Sequence, residues 1–86
     1  MEPDEILLYP LMGEKATLIR EKENKLTFIV NDKANRKEIK DAVEKLYQVK
    51  VVNINVIITP EGKKKAYVKL SKEFSAEEVA SKFGVL

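Results

Sequence analysis

Residues 61–70, EGKKKAYVKL, place three adjacent lysines ahead of an alternating Ala-Tyr-Val-Lys-Leu run. Side chains alternate across a β-strand, so Ala66, Val68 and Leu70 would face one way and Lys65, Tyr67 and Lys69 the other. The first set is core material. The second combines cations with an aromatic ring, groups that neutralise phosphates and stack on bases. Upstream, Asn53 and Asn55 alternate within the β-branched run VVNINVIIT (51–59), although asparagine is a poor strand former. With Pro60-Glu61-Gly62 as a tight connection, residues 51–70 read as a β-hairpin. Its outer face would carry Asn53, Asn55, Lys65, Tyr67 and Lys69. Amides there can bond base edges, sugar hydroxyls or phosphate oxygens. The competing reading is an ordinary solvated face. The run Lys63-Lys64-Lys65, whose like charges repel at a tight turn, favours a polyanion.

A second basic cluster opens a helix. Asn35 with Glu38 three residues later forms an asparagine capping box, which sets Arg36 and Lys37 in the first helical turn and Lys40 one turn on. Positive charge at a helix N-terminus opposes the macrodipole, at a cost of a few tenths to about 1 kcal/mol per residue. Bound phosphate would reverse that sign, because it accepts from the open N–H groups and pairs with the cations. Solvated charge of no consequence is again the alternative.

Other chemistry finds little support. The chain contains no cysteine and no histidine, which excludes disulfides, Cys/His zinc sites and Ser-His or Cys-His catalysis. Glu14, Glu21, Glu38 and Glu44 read as helix caps and solvated pairs. The 3 glycines are isolated, so no loop cradles a phosphate. An enzyme is not expected, and no cofactor is implied.

Eighty-six residues, 44% hydrophobic and 35% charged, suit one small domain spanning 1–86 with its own core. The formal net charge of +2 hides a strong asymmetry. Residues 1–24 carry three basic and six acidic groups, a net −3. Residues 25–72 carry twelve and five, a net +7, and residues 73–86 one and three, a net −2. A localised positive field is the footprint of a polyanion binder, although lysine-rich surfaces also occur in heat-adapted proteins. The acidic start MEPDEILLYP resembles no signal peptide, and no stretch approaches a membrane span. A cytoplasmic protein is expected.

The elements that must position these groups follow from periodicity. Ile6–Tyr9 reads as an edge strand, and 13–23 as a helix with Gly13 as N-cap. A turn at Asn24-Lys25 leads to a strand over 26–30 with Leu26, Phe28 and Val30 on one face. The helix after Asn35 presents Ile39, Ala42, Val43, Leu46 and Tyr47 as an inward stripe. In the strand 51–59, Val52, Ile54, Val56 and Ile58 are assigned inward, and Val51 and Ile57 outward with the asparagines. Ser75 with Glu78 makes a capping box for a last helix, Phe74 and Val79 its hydrophobic staple, and Gly84 its stop. The order β-α-β-α-β-β-α predicts an α+β fold, a small antiparallel or mixed sheet of three to four strands with packed helices.

Taken in order, YPLMGEKAT, NKLTFIV, NRKEIKDAVEKLYQVKVVNINVIIT and GKKKAYVKL resemble the L23 family of large-subunit ribosomal proteins, over roughly residues 6–70. The resemblance implies a structural protein on cytoplasmic ribosomes that binds large-subunit ribosomal RNA at the rim of the polypeptide exit tunnel. It also implies an L29-family neighbour, and a platform contacted by signal recognition particle and other nascent-chain factors. Lys15, Lys37, Lys40, Asn55, Lys63 and Lys65 fall on motif positions. Together with the residue-level reading, the candidate RNA-binding set is Lys15, Arg36, Lys37, Lys40, Asn53, Asn55, Lys63, Lys64, Lys65, Tyr67 and Lys69. Two departures stand out. Gly13 replaces the usual Thr or Ser, and the short hairpin loop is similar to the archaeal or eukaryotic-core type, not to the long bacterial loop that enters the tunnel. Two rivals remain. KKKAYVKL is faintly similar to the RNP1 pattern of RRM modules, but has Lys65 and Lys69 where further aromatics would stand. Alternatively, the sheet face could serve a protein–protein adaptor, whose binding would survive high salt.

Overall fold

A computed structural model describes residues 1–83, and the expected stop at Gly84 lies outside the described residues. The elements are α1 (Pro3–Ile6), β1 (Leu7–Pro10), α2 (Glu14–Glu23), β2 (Lys25–Val30), α3 (Arg36–Tyr47), β3 (Val51–Ile58), β4 (Lys64–Leu70) and α4 (Ala76–Ala80). The four strands form one sheet in the order β1-β2-β4-β3, with every neighbouring pair antiparallel. The fold is α+β, as expected. One helical turn, α1, precedes the expected first strand. Pro3 supplies a pre-set φ at its start, and the Glu2 N–H donates to the Glu5 carboxylate at 2.7 Å.

The core lies on one face of the sheet. Leu26, Phe28 and Val30 of β2 and Ala66, Val68 and Leu70 of β4 are all buried. Ile39, Ala42 and Val43 of α3, Ala76, Val79 and Ala80 of α4, and Ile6 and Leu7 pack into the same cluster. Phe28 is central. Its ring centroid lies 6.2 Å from that of Tyr47 and 5.8 Å from that of Phe83. Burial in this aromatic group pushes the Tyr47 phenol above its ordinary pKa. β2 also buries its other face, Thr27 and Ile29, because it is a central strand flanked by α2.

Two expectations about the core are corrected. Between Val51↔Leu70 and Asn53↔Lys69 the register slips, leaving Val52 as an extra residue. A bulge reverses the alternation, so Val51 (3% exposed) shares the core face with Ile54, while Val52 (54%) faces solvent. Val56 is half-buried, and Ile58, at the turn end of this edge strand, is 64% exposed. Leu46 is the second correction. Its angular position on α3 is right, yet it is 45% exposed. The next residue, Tyr47, packs on Phe28 and Phe83 instead, so at the end of α3 the core contact is made by Tyr47 and not by Leu46.

Junctions carry bonds that the pattern of residues did not announce. Glu44, read as solvated, accepts the Val51 N–H at 2.9 Å and ties α3 to the bulge. Asn24, read only as a turn residue, caps α2 at φ 55°. Its amide donates to the Phe74 carbonyl at 2.9 Å, and its carbonyl accepts the Ala76 N–H at 2.8 Å. It thereby joins the α2–β2 corner to α4. Of the expected capping box of α4, the Ser75 half is present, its hydroxyl accepting the Glu78 N–H at 3.3 Å. Asn24→Gly keeps the left-handed backbone accessible but deletes the side-chain bonds. It is expected to cost about 1–2 kcal/mol, readable in a urea melt.

Candidate nucleic-acid interface

The hairpin delivers its outer face as the alternation required. At the β3–β4 turn, Gly62 takes φ 84° and its N–H donates to Thr59 at 2.8 Å. Across β2, β4 and β3 the face reads in rows: Lys25–Lys69–Asn53, Thr27–Tyr67–Asn55 and Ile29–Lys65–Ile57. Asn53 donates to Asn55 at 3.5 Å, and the Lys65 ammonium lies 5.8 Å from the Tyr67 ring centroid. Tyr67 is half-buried and Lys69 exposed. Lys25 was missed by the sequence reading, though its place as the first residue of β2 was the available signal. Glu23 pairs with it at 3.0 Å.

The second cluster forms an open cleft of about 430 Å³ between the start of α3 and the bulged start of β3. Arg36, Lys37, Lys40 and Asn53 line it. The helix start is a full reciprocal box, with Asn35 accepting the Glu38 N–H at 2.8 Å and Glu38 accepting the Asn35 N–H at 3.0 Å. Lys37 is not without a stabilising partner, as its charge placement suggested. It meets Asp41 one turn on at 3.2 Å, both exposed, a pair worth about 0.3–0.5 kcal/mol. Asn53 lines this cleft and also stands opposite Lys69 on the hairpin face. Two clusters far apart in sequence thus meet at Asn53 on the edge strand β3.

Three lysines fall elsewhere. Lys15, in the first turn of α2, lines a smaller cleft with Thr27, Lys65 and Tyr67. It therefore adjoins the hairpin face. Lys63 sits at the opposite corner, its ammonium 3.0 Å from the Tyr9 hydroxyl and 5.7 Å from that ring's centroid. The hydrogen bond to Tyr9 holds the Lys63 proton more tightly than usual. Lys64 lies apart from the outer face. Alternation turns it to the core side with Ala66, where it donates to the Asp32 and Ala34 carbonyls. The three-lysine run cannot present all its charges on one face, because strand geometry divides them.

An antiparallel sheet with α3 and α4 packed on its core face, and with cations, amides and one tyrosine beside α2 on the other, defines a small α+β structural protein with an anion-facing surface. Among the described residues, no group of three or more acidic side chains is placed to hold a metal ion, and no helix is long and apolar enough to cross a membrane. The family described as Ribosomal protein L23 matches residues 5–78, and the chain belongs to it. That family is structural and non-enzymatic, in agreement with the reading from the residues. The chain is 56% identical over 76 residues to Large ribosomal subunit protein uL23 of Pyrobaculum aerophilum, covering 88% of this chain and 94% of that one. It is 42% identical over 85 residues to the uL23 protein of Methanococcus aeolicus, covering 99% of each. The uL23 protein of Trypanosoma brucei brucei is 49% identical over 81 residues, 94% of this chain, which spans only about half (49%) of that longer relative.

Proposed function

We propose that this protein is a structural constituent of the large subunit of cytoplasmic ribosomes, where it binds large-subunit ribosomal RNA. The contacts are made by the hairpin's outer face and the α3 cleft. Asn53 carries the reading, because it makes the two basic regions continuous. One surface can then follow a phosphate backbone. The amides and Tyr67 meet bases or sugars, and Lys15, Arg36, Lys37, Lys40, Lys65 and Lys69 meet phosphates, with Lys63 at the periphery. The site lies at the rim of the polypeptide exit tunnel, beside an L29-family protein. The exposed elements away from RNA contribute to the platform for signal recognition particle and other nascent-chain factors. The RRM alternative is disfavoured by the register, which surrounds Tyr67 with Asn55 and Thr27 in place of further aromatics.

The test is a salt titration with a large-subunit ribosomal RNA fragment. With roughly 4–6 phosphate contacts, log affinity should fall against log salt with a slope of about −3 to −5. A nearly flat titration would instead favour a protein–protein adaptor.

A further inference from the structure

The two edges of the sheet are built differently. β1 has 4 residues, a register irregularity after Leu7 and Pro10 at its end. Lys63 lies against its Tyr9. Short length, bulges, proline and lysine are the devices that keep an edge strand from pairing with another chain. β3, the opposite edge, has 8 residues. From Asn53 to Ile58 its pairing is regular, and the segment holds no charge and no proline. Ile57 and Ile58, 45% and 64% exposed, are apolar side chains left in water there.

The hairpin fixes which backbone groups of β3 lie open. The Thr59 N–H donates to the Lys63 carbonyl at 2.8 Å, and bonded pairs alternate along an antiparallel ladder. Asn53, Asn55 and Ile57 therefore bond across to β4, while Ile54, Val56 and Ile58 turn their N–H and C=O groups to the open edge. The Leu70 N–H, which bonds to Asn24 on the far side of β4 at 3.1 Å, agrees with this phase. These three residues are symmetric about Val56. Setting Val56 against its counterpart in a second, antiparallel copy places Ile54 against Ile58 and Ile58 against Ile54. Every new bonded pair is then apolar and lies on the core side of the sheet. The turn of each copy reaches the Val52 end of the other, beside the cleft lined by Arg36, Lys37 and Lys40. Glu61 stands exposed on that turn. Among the described residues, Glu61, Arg36 and Lys40 have no ion-pair partner. Lys63 and Lys64 nearby are already held, by Tyr9 and by the Asp32 and Ala34 carbonyls.

We infer that β3 is a self-association edge, through which two copies of this chain pair over residues 54–58 into an antiparallel dimer with one continuous sheet. Apolar pairs at the centre and Glu61 against Arg36 and Lys40 at each end set the register. The two-fold axis closes the assembly, because the blunted β1 edges are left at its outer limits. Each turn covers part of the partner's α3 cleft, so the dimer belongs to the chain free of RNA. A contact made through one strand edge falls among the small interfaces, below roughly 1,200 Å². The dimer is therefore weak.

The experiment is sedimentation velocity of the full chain without RNA, from about 10 μM to about 1 mM. The parent should pass from monomer to dimer and form nothing larger. Ile58→Lys should weaken the dimer by about tenfold or more, with an unchanged melting temperature, because the side chain it replaces is 64% exposed. Leu18→Lys makes the same change at a 48% exposed site on α2 and should leave the dimer as in the parent. Glu61→Lys should weaken it about three- to tenfold, since two exposed ion pairs are lost per dimer. A parent that stays monomeric at about 1 mM overturns self-pairing and leaves the edge to a strand of another protein. A dimer untouched by Ile58→Lys, or weakened equally by Leu18→Lys, overturns β3 as its seat. Indifference to Glu61→Lys overturns the two-fold register. With no RNA in the cell, none of these outcomes bears on the RNA-binding reading.

Discussion

Phe28→Ala is expected to lower the unfolding free energy by about 3–5 kcal/mol, the range for removing a buried phenylalanine side chain. Phe28 is 1% exposed and belongs to β2, a central strand of the sheet. Its ring meets Tyr47 from α3 and Phe83 from the segment after α4, and these two rings lie 5.5 Å apart. Truncation would remove the common partner of both and leave a cavity that three different elements would have to collapse to fill. For a chain of this length, total stability is on the order of 4–13 kcal/mol, at about 0.05–0.15 kcal/mol per residue. A single substitution would therefore remove a large share of it. Leu46→Ala is the comparison. At 45% exposure it should cost less than about 1 kcal/mol, mostly the partial burial it loses. Guanidinium melts of the two variants separate these outcomes. Comparable losses would mean that the last turn of α3 is packed far more tightly than its exposure indicates.

Charge reversal at the α3 cleft should separate folding from binding. In Arg36→Glu/Lys37→Glu, each new carboxylate sits in the first helical turn, where it gains about 0.3–1 kcal/mol from the macrodipole. Against this, the Lys37–Asp41 contact is replaced by a like-charge pair at the same spacing, each effect being about 0.2–0.5 kcal/mol. Glutamate at position 36 would also stand one turn before Lys40, a favourable orientation. The net change in stability should be between zero and a gain of about 1 kcal/mol. RNA affinity should move in the opposite sense. Two cations facing phosphate become two anions, so the loss is expected to be at least tenfold and to approach a hundredfold, about 1.4–2.7 kcal/mol. Thermal melts and RNA titrations on the double variant test both halves. Binding equal to that of the parent would remove the α3 cleft from the interface and leave the hairpin as the whole RNA surface.

Much of this molecule is written locally. The Asn35–Glu38 box starts α3 because both halves of the bond lie within one turn. The alternation in AYVKL sends Ala66, Val68 and Leu70 inward because strand side chains change face at every residue. The Pro60-Glu61-Gly62 turn, the asparagine, lysine and tyrosine face, and the motif order that marks the family are legible for the same reason. Each depends on residues close in the chain.

What only the tertiary structure decided depends on partners distant in sequence. The bulge at Val52 arises from the pairing of β3 with β4, and no pattern within VVNINVIIT reveals the slip that exchanges Val51 and Val52. Leu46 lies on the stripe yet stays 45% exposed, whereas Tyr47 beside it packs on Phe28 and Phe83. Lys64 looked like one of three equivalent lysines until the strand start turned it toward the Asp32 and Ala34 carbonyls. Asn53 was read as part of the hairpin alone, yet the approach of α3 makes it a wall of the second basic cleft. Thr27 was one polar residue in a strand until α2 folded beside it and buried its hydroxyl without a partner. Periodicity and caps are set by bonds within a few residues, whereas burial and the union of sites require surfaces that meet only after the chain has closed on itself.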